Sequence, residues 1–128
     1  MIDDIIKSIE WLEGRLKSED IVSIGIVIDK LAIQSMTLAE QVSEAYALMN
    51  EAEDEYNHAV AKFIKEFPGA RNRADIEAEV EFEDKKKHWT ETKNVYKRLN
   101  MYLDRVDKII ESHRQRVSVI KQSSMKNV

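Results

Sequence analysis

The chain contains no cysteine, one proline and three glycines. Without cysteine there is no disulfide framework, no thiolate metal site and no sulfur nucleophile, so zinc fingers and ribbons are excluded. With so little proline and glycine there are few places to turn, and no glycine-rich phosphate loop exists. The opening MIDDIIKSIEW begins with acids and carries a charge every few residues. It fits neither a signal peptide nor a membrane span, so the expectation is a cytoplasmic protein without membrane contact.

What is present is charge and aliphatic residue in helical rhythm. At 34% charged and 43% hydrophobic, the 128 residues suit elongated helices with much wet surface, and one domain is expected. The net charge of -4 hides an asymmetry. Residues 1–64 hold five Lys/Arg against thirteen Asp/Glu, and residues 65–128 fifteen against eleven. That split suits either a basic surface for a polyanion or head-to-tail contact between subunits.

The apolar spacing predicts three helices. Ile2, Ile5, Ile6, Ile9, Leu12 and Leu16 define a short one over about 2–17, followed by KSED with Ser18 as the N-cap of the next. A heptad seam then runs from Ile21, Ile24, Ile28 and Leu31 through Leu38, Val42, Ala45 and Met49 to Ala52, Tyr56, Ala59 and Phe63. Ser35 is its polar break. This predicts a long helix over about 20–66, roughly 70 Å at about 1.5 Å per residue. Its β-branched start, IVSIGIVID, also suits a buried strand. FPGARNR is the predicted turn, over 67–73. A second seam of Trp89, Tyr96, Leu99, Leu103, Val106, Ile110, Val117 and Ile120 predicts a long helix over about 74–122, interrupted by Thr92 and His113.

Within that second arm, IEAEVEFE alternates apolar and acidic residues with period two, the pattern of a strand with Ile76, Ala78, Val80 and Phe82 on one face. A short β ribbon at 76–83 is therefore the alternative to helix. The fold expected is all-α: an antiparallel, coiled-coil-like helical hairpin with a short N-terminal helix. Ile26, Ile33, Tyr46, Tyr102 and Ile109 widen the apolar stripes beyond one hairpin's need, which predicts a homo-oligomer.

Catalytic patterns are sparse. Glu55 and His58 have metal-ligand spacing on one helical face, but there is no second copy, and a solvated face is the simpler reading. His88 and His113 lack a marked nucleophile. No catalytic residue, metal or cofactor is expected. Trp11 and Trp89 could stack on bases, although Trp89 falls on the seam. The basic residues that gather best are Lys62, Lys65, Arg71 and Arg73 around the predicted turn: a phosphate site of low affinity in one subunit, multiplied by symmetry.

The C-terminal segment LNMYLDRVDKIIESHRQRVSVIKQ resembles the UvsY recombination-mediator family of T4-like phages through Tyr102, Leu103, Val106, Asp107, Ile110, Ser112, Arg114, Ile120 and Lys121. Similar length and a helix, loop, helix layout accompany the pattern. The resemblance implies a phage protein in the host cytoplasm. It implies a ring-shaped homo-oligomer that holds single-stranded DNA through basic residues near its hairpin and loads a recombinase onto DNA coated by a single-strand-binding protein. Lys62, Lys65, Arg71 and Arg73 are the comparable positions, with four glutamates of IEAEVEFE nearby.

The expected function is thus a non-catalytic mediator of recombination or replication that binds single-stranded DNA. The alternatives are a protein-binding inhibitor or adaptor, including an anti-CRISPR or other anti-defence protein that presents an acidic surface, and a structural coiled coil.

Overall fold

A computed structural model describes residues 2–16 and 21–126, with side chains to residue 123. The expected Ser18 cap lies outside the described residues. Among these, the chain forms α1 (Ile2–Arg15), α2 (Ile21–Glu66), α3 (Arg71–Glu81) and α4 (Glu83–Lys126), with no strand. The fold is all-α, and α2 and α4 pack antiparallel as a helical hairpin. The β-branched start of α2 is helical, because its Ile24, Val27, Ile28 and Leu31 share one buried face.

The packing gathers into two units. One comprises α1, α2 as far as Val42 and α4 from Leu99. Its core is aliphatic: Ile9, Leu16, Ile24, Leu31, Leu38, Leu99 and Val106 are almost wholly buried. Each such side chain contributes about 1.5–3 kcal/mol by leaving water. At 14 residues α1 is too short to persist alone in water. Ile5, Ile9 and Leu12 hold it in the core, and two arginines of α4 tie it down. Arg116 Nη1 donates to the Leu16 carbonyl at 3.1 Å, and Arg105 Nη2 meets Glu13 Oε2 at 3.3 Å. Ser35, the polar break in the seam, is buried and donates its hydroxyl to Asp107 of α4. A mismatch in the heptad pattern is thereby a matched pair in the fold.

The other unit, Ser43–Arg98, packs small residues and rings. Ala45, Ala52, Ala74 and Ala78 are buried. Tyr46 meets Tyr96 with centroids 5.2 Å apart, Tyr56 stacks on Trp89 at 5.8 Å, and Phe63 takes Phe82 edge-on at 5.7 Å. Later α2 positions meet earlier α4 positions, which is the antiparallel register. Gly69 leaves room for the Phe67 ring, whose Cε1 lies 2.8 Å from where a Cβ would stand.

Two boundaries differ from the sequence reading. The turn is shorter than 67–73: helix resumes at Arg71, so Arg71 and Arg73 begin α3. The β ribbon at 76–83 is not formed. Ala74, Ala78 and Phe82, spaced by four, turn inward, while Ile76 and Val80 are exposed. Two buried alanines let the backbone approach its neighbour closely, and alanine and glutamate favour helix where no second strand offers a ladder. The second arm is not one uninterrupted helix either. Phe82 separates α3 from α4, although its N–H still bonds the Ala78 carbonyl at 3.0 Å and its carbonyl accepts from Lys86 N–H at 3.0 Å.

Candidate nucleic-acid interface

The four cations singled out from sequence are all exposed and belong to one unit. Lys62 and Lys65 stand one turn apart at the end of α2. With His58, Ala61 and Glu66 they line an open cleft of about 410 Å³. Arg71 and Arg73 occupy the first turn of α3. That turn has no side-chain cap from Ala70, although Asn72 Oδ1 accepts the Arg73 N–H at 2.9 Å. Its remaining leading N–H groups add the partial positive charge of a helix start.

The cations differ in freedom. Among the described residues Lys62, Lys65 and Arg71 have no ion-pair partner, whereas Arg73 Nε lies 3.1 Å from Glu77 Oε1. A phosphate must compete with Glu77 for Arg73, but an exposed i,i+4 pair is worth only about 0.3–0.5 kcal/mol. Further along, Lys85, Lys86, Lys87, Lys93, Lys97 and Arg98 are exposed on α4. Lys93 Nζ sits 5.8 Å from the centre of the half-buried Trp89 ring. Trp89 therefore packs on Tyr56, while Trp11 is 61% exposed and carries Arg15 over its face at 5.0 Å. Among the described residues no three His, Asp or Glu side chains converge as metal ligands. His58 faces the lysine cleft.

A polar cluster that the sequence did not reveal joins α1 to α4. Glu13 Oε1, Tyr102 OH and His113 Nδ1 are buried with no hydrogen-bond partner among the described residues, beside Arg105 and Arg116. Nothing in the sequence around Arg105 and Arg116 marks them for this contact. Only the return of α1 shows that they fasten a helix. Burial, reinforced by Glu13 and Glu10 and opposed by Arg105, raises the Tyr102 phenol above its ordinary value. A raised native pKa means that the folded state keeps its proton longer. Stability from this group is intact below the unfolded pKa of about 10 and is lost as pH rises through the native value. Thermal melts in increasingly alkaline buffer should show a smaller loss for Tyr102→Phe than for the wild type.

The fold and the exposed cations define an all-α hairpin protein with a basic turn. Compared with protein families, curated proteins and solved structures, the chain matches none.

Proposed function

We propose that this protein is a non-catalytic, self-associating binder of single-stranded DNA that assists recombination or replication, a phage mediator acting in the host cytoplasm. The observation that carries this reading is the exposed cationic group at the hairpin turn. Lys62 and Lys65 flank a cleft, and Arg71 and Arg73 begin an uncapped helix in the same unit. Such a group suits phosphates, and the exposed α4 lysines add positive charge to the same unit. One subunit holds a strand loosely. A homo-oligomer multiplies those contacts and presents the strand to a recombinase or receives it from a single-strand-binding protein.

The test is anisotropy of a labelled oligo-dT against protein at several salt concentrations. Affinity should fall steeply with salt, with a log–log slope of about 0.7 per phosphate contact. Absence of binding at low salt rejects the reading. The protein-binding alternative rests on the acidic residues Glu10, Glu13, Asp54, Glu55 and Glu77 to Glu83, of which the exposed Glu79, Glu81 and Glu83 of the α3–α4 junction oppose a polyanion locally. It is favoured if oligo-dT does not bind and reversing those glutamates abolishes capture of a protein partner.

A further inference from the structure

Helix α2 carries a second apolar column opposite the one it buries. Ile24, Ile28, Leu31 and Leu38 face the core, each no more than 4% exposed. Val22, Ile26, Ile33 and Met36 are 69%, 52%, 62% and 70% exposed. Their steps of four and three, with Asp29 filling the remaining position, form a second heptad seam about 21 Å long. Both columns together give α2 a window of mean hydropathy 1.6, apolar enough to cross a membrane by length and composition, although only 33% of that window is buried. Trp11 of α1 borders the outer column through a cleft of about 150 Å³ that also contains Ile26 and Lys30.

We propose that this outer column is a two-fold interface that pairs α2 antiparallel with α2 of a second copy of the chain. The charge at the middle of the stripe identifies the occupant. Asp29 and Lys30 are both exposed, and neither has an ion-pair partner among the described residues. A two-fold axis level with the midpoint between Ile26 and Met36 gathers two acids and two bases, so the surface neutralises itself. In-register parallel pairing sets each residue against its own copy and puts Asp29 against Asp29. Antiparallel pairing about that axis sets Ile26 against the partner's Met36 and Asp29 against the partner's Ile33, so that Asp29 faces an isoleucine and has the partner's Lys30 within side-chain reach. A single polar residue in such a seam fixes register and orientation at some cost in affinity. This inference deepens the self-association in the proposed function and does not depend on DNA contact.

The test is sedimentation equilibrium of the full chain, without DNA. Ile33→Glu should weaken self-association at least about tenfold, as loss of a central interface side chain does, while far-UV CD and the melting temperature at low concentration stay unchanged. Asp29→Lys and Lys30→Asp should each weaken it, and the double exchange should restore it, a reciprocity that no fixed foreign partner provides. The chain lacks cysteine, so mixing Ile26→Cys with Met36→Cys protein should give mainly the mixed disulfide. The proposal is overturned by an Ile33→Glu protein that associates like the wild type, by a double exchange no better than the single ones, or by like-with-like disulfides. A chain that stays monomeric and instead floats with phosphatidylcholine vesicles through the same isoleucine also overturns it. If the mass test succeeds and oligo-dT fails to bind, only the DNA reading falls.

Discussion

Reversing all four turn cations, Lys62→Glu, Lys65→Glu, Arg71→Glu and Arg73→Glu together, should lower affinity for oligo-dT at low salt by about 100-fold or more and flatten the salt dependence. The argument is electrostatic. Each phosphate contact contributes a released counterion, so removing contacts lowers both the affinity and its slope against salt. The four side chains are exposed, and among the described residues only Arg73 of the four has an ion-pair partner, an exposed one in Glu77. The variant should therefore fold with unchanged far-UV CD and a melting temperature close to the wild type. Unchanged binding by the folded variant would move the site elsewhere, with the exposed α4 lysines as the next candidates.

Leu38→Ala should destabilise the fold by about 2–5 kcal/mol, the cost of removing a buried leucine and leaving a cavity. Leu38 has no exposed surface, whereas Leu48 on the same helix is 57% exposed. Leu48→Ala should stay within about 0.5 kcal/mol of the wild type. Urea denaturation of both at one protein concentration makes the comparison, and that concentration must be fixed because association raises apparent stability. Equal losses would mean that α2 does not bury the face described.

Much of the fold was legible in the heptad spacing, for a physical reason. A helix of the length of α2 must bury one stripe, and Ile24, Ile28, Leu31 and Leu38 mark that stripe. IEAEVEFE was not legible, because alternation counts apolar residues without weighing size. Ala74 and Ala78 are the residues that pack, while the larger Ile76 and Val80 are left to solvent. The candidate site was legible only as composition. Sequence placed Lys62, Lys65, Arg71 and Arg73 around one turn, but not that Arg73 is engaged by Glu77 or that Lys62 and Lys65 share a cleft with His58. The Glu13, Tyr102 and His113 cluster was invisible because its members meet only after α1 folds back on α4.

The central claim, that a self-associated form of this protein holds single-stranded DNA, is tested most directly by sedimentation velocity of protein with dye-labelled oligo-dT at low and moderate salt, following protein and dye together. The account predicts that the dye travels with a protein multimer at low salt and is released as salt rises. Dye that sediments as free DNA beside the protein at every salt concentration, or that travels with a single subunit, would contradict it.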